Sequence, residues 1–401
     1  MSHEKNSFMV KEESMIKTLV AYITEIDDLD EAIKQAKEQL DLDNNLLKNS
    51  VGVLACHYEF VYSGAAKAIC EALPFDVIGT ISTVQGVNQE SGTLLFTLMV
   101  LTSDDVSFKT LLTETLKGNP LDSIEKAYKE ATTVYEDAPA LILSYAPFIV
   151  ENCGDDYIST IGEISGGVPC FGTIAIDGSN TFEHCFLIYN GEHYTDKMGM
   201  ILVYGDIKPK FFMATISPEK IIDKPAIVTK SDGVVLMEVN GEPAIDYFKD
   251  LGLISSVESQ YAMASIPFLL DYNDGTPPVS KVFIFLTPEN YAVCAGKMPE
   301  GSSMYLGVFD KEDVLYTTSS AVKNAMEDHS DLSCLMCYSC ISRCMSLGGD
   351  QLAEIDMIRD IVGDELSFLM AYSGGEICPT QVDDDKAINR FHNNAFIACM
   401  F

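Results

Sequence analysis

The stretch SCLMCYSC, residues 333–340, opens a strand, helix and strand pattern that runs to residue 376. It is apolar and of strand length, so its side chains should alternate between two faces. An amphipathic segment follows at 351–362, and LSFLMAYSGGE follows at 366–376. Two strands joined by a helix in this way are typical of a βαβ crossover, which favours parallel strands with the helix on one face of the sheet.

The same pattern occurs twice earlier in the chain. The two copies have strands at 51–60 and 75–83 with a helix at 63–73, and strands at 140–148 and 167–177 with a helix around 157–164. We therefore predict a mixed α/β fold in which repeated strand–helix–strand units form mixed sheets. The helices should pack on the outer faces of those sheets.

The segments between the repeats have the alternation of β structure. Residues 199–216 and 281–309 predict antiparallel hairpins, because their apolar and polar residues alternate and glycine and proline stand at the turns. Residues 231–252 predict another hairpin, which turns at Asn240 and Gly241 and is followed by a short helix.

The chain is long enough for more than one domain. A strand near residues 16–23 and a helix near 29–40 should extend the N-terminal sheet. A less patterned stretch follows residue 250, and we place a domain boundary near residue 253. This gives an N-terminal domain at 1–252 and a C-terminal domain at 253–401.

Four cysteines follow the C-x2-C-x2-C-x3-C spacing that iron–sulfur proteins use: Cys334, Cys337, Cys340 and Cys344. A cluster needs thiolates that converge from a loop, whereas a strand here would send neighbouring cysteines to opposite faces. Met345 also replaces the usual proline after the last cysteine. We favour a buried, cysteine-rich strand, since free cysteine behaves as a small core hydrophobe, and we expect no metal site.

Composition restricts the partners and the compartment. The 60 acidic and 26 basic side chains give a net charge of −34, which repels nucleic acid and anionic membrane surfaces. The N-terminus lacks the basic and apolar regions of a signal peptide, and the chain has 12 cysteines. We therefore expect a cytoplasmic protein with reduced thiols and no membrane insertion.

Six short pieces, in the same order, resemble the FIST family of sensory proteins. They are VIGT at 77–80, NGEPAIDYF at 240–248, AGKMPEGSSMYLG at 295–307, SCISR at 339–343, GGEICP at 374–379 and FHNNAF at 391–396. The resemblance implies a cytoplasmic ligand-sensing module with an N-terminal and a C-terminal FIST domain. It also implies small ligands such as amino acids.

The same resemblance bears on partners and cofactors. Members of the family are often fused to histidine kinases, chemotaxis receptors or cyclic-dinucleotide enzymes, and some bind haem and respond to nitric oxide. No output domain is visible in this chain, so we expect it to signal through a separate protein such as a histidine kinase or chemoreceptor.

Candidate ligand-binding residues follow the strands of the third repeat, because open parallel sheets bind ligands beyond the carboxyl ends of their strands. Cys340 and Arg343 follow its first strand, and Gly374, Gly375 and Glu376 follow its second. Arg343 could hold a carboxylate and Glu376 an ammonium group, which together suit an amino acid or a related small carboxylate. Alternatively, Arg343 and Glu376 pair with each other or cap local backbone, and the two glycines form a turn.

Histidines suggest further candidates. His392 and Asn393 precede the last apolar segment and are assigned to the ligand site; the alternative is that the His392 imidazole hydrogen-bonds to backbone. His57 stands at the matching rim of the first repeat, so a haem would be ligated by His57 or His392. His184 and His193 are expected at the surface.

A catalytic role is the third hypothesis. Cys340 could act as a nucleophile with His392 as its base, as in a hydrolase or transferase. The chain contains no G-x-S-x-G, G-x-G-x-x-G or phosphate-loop motif. We therefore expect a protein that is not an enzyme and has no catalytic residue or cofactor.

Overall fold

The computed structural model describes residues 15–149, 152–179, 181–222, 225–252, 266–327, 333–383 and 386–401. Its helices are α1 Leu29–Leu40, α2 Leu42–Asn45, α3 Glu59–Tyr62, α4 Ala65–Glu71, α5 Pro120–Thr132, α6 Gly154–Ser165, α7 Ala244–Asp250, α8 Lys311–Glu327, α9 Ile341–Ser346 and α10 Ala353–Val362.

The strands of the first half are β1 Lys17–Ile23, β2 Asn49–Cys56, β3 Val77–Ile81, β4 Gln85–Val87, β5 Ser91–Gly92, β6 Phe96–Ser103, β7 Ser107–Leu112, β8 Leu141–Ala146, β9 Cys170–Ile174, β10 Leu187–Tyr189, β11 Glu192–Tyr194 and β12 Gly199–Tyr204. Those of the second half are β13 Lys210–Ala214, β14 Ala226–Asp232, β15 Val235–Val239, β16 Glu242–Pro243, β17 Pro267–Asp271, β18 Val279–Leu286, β19 Ala292–Cys294, β20 Ser303–Leu306, β21 Cys334–Cys340, β22 Ser367–Ser373, β23 Glu376–Asp383, β24 Lys386–His392 and β25 Phe396–Met400.

Three six-stranded sheets are each built around one parallel pair of strands. The first sheet has the order β1-β6-β2-β3-β10-β11, the second β24-β23-β9-β8-β12-β7, and the third β13-β25-β21-β22-β4-β5. The parallel pairs are β2 with β3, β8 with β9, and β21 with β22. Each pair is joined through one or two helices, so the three strand–helix–strand repeats are confirmed.

A fourth sheet closes on itself. Its order is β14-β20-β17-β18-β19-β15-β16, and β14 also pairs with β15, which makes a small barrel. The hairpin of β18 and β19 and the turn at Asn240 and Gly241 are confirmed. These two turn residues have φ values of 54° and 84°, the left-handed pair that a type I′ hairpin turn requires.

The hairpin predicted at 199–216 is wrong. β12 pairs with β7 and β8 in the second sheet, whereas β13 pairs with β25 in the third. An alternating pattern identifies a strand with one buried face but does not identify the strand it pairs with. Here the two strands belong to different sheets.

The three six-stranded sheets share one central apolar core. Along β21, Cys334, Met336 and Tyr338 face this core, while Leu335 and Cys337 face helices α8, α9 and α10. The strand predicted at 333–340 is thereby confirmed, with its alternation. The outer face of the first sheet packs on α1, α3 and α4, and that of the second sheet packs on α5 and α6.

Strands distant in the sequence complete the sheets. β4 pairs with β22 of the third sheet, and β23 pairs with β9 of the second.

The boundary predicted at residue 253 lies outside the described residues. Among the helices that the structure describes, none has the length and apolar character needed to cross a membrane.

Candidate functional site

A cavity of about 250 Å³ lies at the carboxyl ends of the second and third parallel pairs. Phe148 and Ile176 follow β8 and β9, while Cys340 and Gly374 stand at the end of β21 and just after β22. The barrel strand β18 supplies the facing wall. The rim at which the sequence predicted ligand binding therefore adjoins a cavity, which the second repeat and the barrel also line.

The walls of the cavity are mainly apolar and include phenylalanines on both sides. Phe148 and Phe182 pack together with ring centroids 4.7 Å apart, and Phe283 and Phe285 line the barrel side. Phe285 is 41% exposed and Met345 is 55% exposed, so these two side chains flank the mouth. Within the described residues, no side chain that lines the cavity is charged.

The loop after β9 is held by a buried carboxylate. Asp177 accepts hydrogen bonds from the backbone N–H of Ser179 (2.9 Å) and of His184 (2.9 Å), and from the Ser179 hydroxyl. Burial alone would raise the pKa of Asp177, but the hydrogen bonds from His184 and Ser179 outweigh it and lower the pKa. Asp177 thus fixes the loop that carries Ser179 and Phe182 to the cavity.

Asn393 is the most unusual polar residue of the lining. It is 1% exposed, and its backbone N–H donates to the Ser280 carbonyl of β18 (2.9 Å). Neither Oδ1 nor Nδ2 of its side chain has a hydrogen-bond partner among the residues that the structure describes. Gly375 lies beside this side chain, since a Cβ there would lie 2.3 Å from the ring of Phe391 and 3.3 Å from Nδ2 of Asn393. A buried amide without partners is costly, so its presence needs an explanation.

Glu376 and Cys340 form a buried acidic pair beside the cavity. Glu376 is fully buried, and its Oε2 accepts from the backbone N–H of Ala395 (3.3 Å). Burial raises the pKa of Glu376 to about 8, although its hydrogen bonds, including one with Cys340, partly oppose the rise. Burial also raises the pKa of the Cys340 thiol, and the charge of Glu376 raises it further. Burial therefore favours the protonated form of both groups.

His392 is buried and neutral. Its Nε2 donates to the Cys378 carbonyl (3.2 Å), while its Nδ1 has no partner in the described part of the chain. Burial lowers the pKa of His392 to about 3. His57 lies at the rim of the first sheet, where its ring contacts Tyr58 with centroids 4.2 Å apart.

These positions do not suit a haem. Neither His57 nor His392 lines the cavity. The volume of about 250 Å³ also falls below the ~300–1,000 Å³ that is usual for pockets of drug-sized ligands. No step of the function is therefore assigned to a haem.

Arg343 has a different position from the one the sequence suggests. It is fully buried, its Nη2 lies 3.1 Å from Oε1 of Glu354, and the same nitrogen donates to Thr318 Oγ1 (2.6 Å). Its guanidinium also lies over the ring of Phe309 at 5.0 Å. Arg343 does not line the cavity, and the structure pairs it with Glu354 rather than with Glu376.

The four cysteines of the C-x2-C-x2-C-x3-C run do not converge. Cys334 faces the central core, Cys337 faces the helices, and Cys344 lies on α9. Burial raises the pKa of the Cys334 and Cys337 thiols, which disfavours the thiolates that bind metals. Among the described residues, no group of three or more His, Cys, Asp or Glu side chains is placed to hold a metal ion.

Sequence reasoning missed half of the cavity. Phe148 and Gly178 lie beyond the carboxyl ends of the strands of the second repeat, as Cys340 and Gly374 lie at those of the third. The expectation that ligands bind at these strand ends could therefore have identified them too. Phe283 and Phe285 lie in the barrel, and nothing in the pattern of β18 indicated that one face would cover a cavity.

Comparison with known proteins gives two family matches that together span most of the chain. A family model described as FIST N domain matches residues 50–242, and one described as FIST C domain matches residues 244–379. No match was found among curated proteins. A solved structure described as "Structure of PurLQS from Thermotoga maritima" aligns with 96% of this chain and 72% of its own, at 9% identity and a TM-score of 0.19. That likeness is too weak to support any conclusion about fold or function.

Proposed function

Because this chain belongs to the FIST family, whose domains sense small ligands in signal transduction, we propose that it is a sensory protein whose ligand binds in the cavity between the second repeat, the third repeat and the barrel. The composition of the cavity wall carries the proposal. Phe148 and Ile176 belong to the segment matched as FIST N domain, whereas Phe283 and Cys340 belong to the segment matched as FIST C domain. A ligand that contacts both segments can favour one arrangement of them over another, which is what a sensor requires.

The lining favours an apolar ligand. An amino acid or small carboxylate was expected from Arg343 and Glu376, but Arg343 is committed to Glu354 and no charged side chain is described in the lining. A carboxylate would lose its hydration there without a cationic partner, which is unfavourable. We therefore propose an uncharged, largely apolar molecule ahead of a free amino acid.

A catalytic function draws no support from the site. A cysteine nucleophile acts as a thiolate, and the pKa of Cys340 is raised rather than lowered. The imidazole of His392 donates to a backbone carbonyl, and burial disfavours its protonated form. Signal output through a separate protein, such as a histidine kinase or chemoreceptor, remains part of the proposal.

Thermal unfolding against a panel of small apolar molecules, amino acids and carboxylates tests the ligand function. A compound that binds the native state raises the melting temperature, and the rise grows with the logarithm of its concentration relative to its Kd. Ala295 lines the cavity, so Ala295→Phe should fill it and abolish the rise, whereas Ala138→Phe, at an exposed alanine, should retain it. A rise that survives Ala295→Phe would place the ligand elsewhere and refute this assignment of the cavity.

A further inference from the structure

The side chain of Asn393 carries an unpaired amide edge within the wall of the cavity. An asparagine amide presents an acceptor oxygen and a donor NH₂ group side by side. Both atoms of Asn393 lack partners in the described chain, the residue is 1% exposed, and it lines the cavity. Leaving a buried donor and acceptor unpaired costs far more than pairing them, so a ligand that satisfies both gains most of that difference.

The position of this edge is fixed by its surroundings. The backbone of Asn393 is bonded to Ser280 of the barrel, and Asn394, the next residue, has a φ of 51°. The side chain of Asn394 accepts from Ser342 (2.9 Å), which itself lines the cavity. The turn between β24 and β25 is therefore tied to both walls, and a preorganised amide loses little freedom on binding.

The complement of an amide edge is another amide edge. A ligand must offer one donor and one acceptor on neighbouring atoms and on the same side. A carboxylate or a ketone offers acceptors alone, and an ammonium group offers donors alone. The uncharged lining also favours a neutral head group. Phenylalanines on both walls suit a planar apolar body attached to it.

We propose that the ligand of this cavity carries a cis-amide edge, as in a primary carboxamide, a lactam or a cyclic imide, which pairs with the side chain of Asn393 through two hydrogen bonds. This inference rests on the proposed ligand function of the cavity and specifies its ligand class.

The test compares three molecules of nearly the same shape, benzamide, acetophenone and benzoate, by isothermal titration calorimetry. Acetophenone replaces the NH₂ group of benzamide by a methyl group, and benzoate replaces it by a charged oxygen. We expect benzamide to bind the wild-type protein at least about tenfold more tightly than either analogue, because each analogue leaves the Asn393 carbonyl unpaired. In Asn393→Leu, which keeps the branching at Cγ but has no polar side-chain atom, that preference should disappear.

Asn393→Leu removes an unsatisfied buried amide, so we expect it to fold with a melting temperature at or above that of the wild type. If it fails to fold, the wild-type comparison of benzamide with acetophenone still decides the question. Equal binding of these two molecules would overturn the amide inference and leave the ligand function intact. Failure of benzamide to bind at its solubility limit would overturn it as well, and the panel with Ala295→Phe would then judge the ligand function separately.

Discussion

At the scale of single residues, Arg343 follows a parallel strand but does not line the cavity, although residues on either side of it do. The chain passes directly from β21 into α9, in which each residue is turned by about 100° from the one before. Ile341, Ser342 and Met345 consequently face the cavity, and Arg343 lies on the opposite side of the helix, against Glu354. The sequence places Arg343 near the strand end but gives no direct sign that a helix begins there.

The buried pair of Arg343 and Glu354 should matter for stability rather than for ligand binding. Arg343→Met leaves the Glu354 carboxylate uncompensated in the interior, and we expect a loss of about 3–5 kcal/mol in the free energy of unfolding. Adding Glu354→Gln should recover much of this loss, since an amide can still bond Ser339 and Tyr372. Urea unfolding of the single and double variants measures both values. Additive losses in the double variant would contradict the pairing.

Glu376 should make stability depend on pH. Its pKa is about 8 in the folded protein against an ordinary value of 4.5, so above pH 4.5 the folded state keeps a proton that the unfolded chain has lost. Stability must therefore fall as pH rises from 4.5 to about 8, by at most about 1.4 kcal/mol per pH unit. His392 and His57 have lowered pKa values, so their contributions are lost mainly as pH falls through 6.5, whereas that of Glu376 is lost as pH rises.

The measurement is urea unfolding at pH 6.5, 7.25 and 8 for the wild type and for Glu376→Gln, which mimics the protonated side chain. The wild type should lose stability across this range relative to the variant. Parallel stability curves for the two proteins would show that the Glu376 carboxyl does not retain its proton in the folded state.

At the scale of elements, the three parallel pairs repeat one another in detail. Gly79, Gly172 and Ala371 each stand two residues before the end of the second strand of their pair, opposite Leu54, Ser144 and Tyr338. A Cβ at Gly79 or Gly172 would lie 1.8 Å from the opposing carbonyl oxygen. The first two pairs thus require glycine at the position where the third carries alanine.

This difference predicts that substitutions at the equivalent positions Gly172 and Ala371 have effects of very different size on stability. Gly172→Ala would force β9 away from β8, and we expect a loss of more than about 3 kcal/mol in the free energy of unfolding or failure to fold. Ala371→Gly, the reverse change in the third pair, should cost only about 1 kcal/mol. Circular dichroism and urea unfolding of both variants give the comparison. Equal effects would mean that the close approach at Gly172 is not maintained.

Whether a segment forms a helix or a strand was predictable where the sequence is periodic. Which strands pair with each other was not predictable. The three repeats, the strand at β1 and the helix at α1 follow from apolar spacing and appear as expected. The long helix α8 has no counterpart among the sequence predictions. Strand partners between residues 199 and 216 depend on long-range packing, which no local pattern encodes.

At the scale of the whole molecule, Lys281 fastens the barrel to helix α6 and to strand β24 of the second sheet. The Lys281 ammonium, fully buried, lies 2.9 Å from Oδ1 of Asp155 and 2.9 Å from the Phe391 carbonyl. Burial alone would lower the pKa of Lys281, but Asp155, Tyr272 and Cys153 together outweigh it and raise the pKa. Lys281 directly precedes the cavity-lining residues of β18, so this fastening and the ligand site share one strand. The sequence predicted the side of the cavity formed by the third repeat. It did not predict the side formed by β18, because the barrel reaches the cavity only through tertiary packing.

Gly296 provides a probe of this junction. A Cβ at Gly296 would lie 2.2 Å from Nζ of Lys281 and 2.7 Å from Oδ2 of Asp155, so Gly296→Ala should disrupt the pair and destabilise the protein by about 2–4 kcal/mol. Gly162 of α6 has no atom within 4 Å of such a Cβ, and Gly162→Ala should stabilise by about 0.5–1 kcal/mol. Hydrogen exchange should show faster opening of β18 in Gly296→Ala alone. Unchanged hydrogen exchange of β18 in Gly296→Ala would argue against a role of the Lys281–Asp155 pair in holding the barrel.

The pairing of β23 with β9 and of β4 with β22 has a consequence for the order in which the protein can be made. On a ribosome, β9 emerges some two hundred residues before β23, so the hydrogen-bonding edge of β9 stays bare through much of translation. Bare strand edges recruit other chains, and β4 must likewise wait for β22. We expect a nascent chain halted before residue 376 to aggregate or to need a chaperone, and the completed chain to become protected as its last strands arrive.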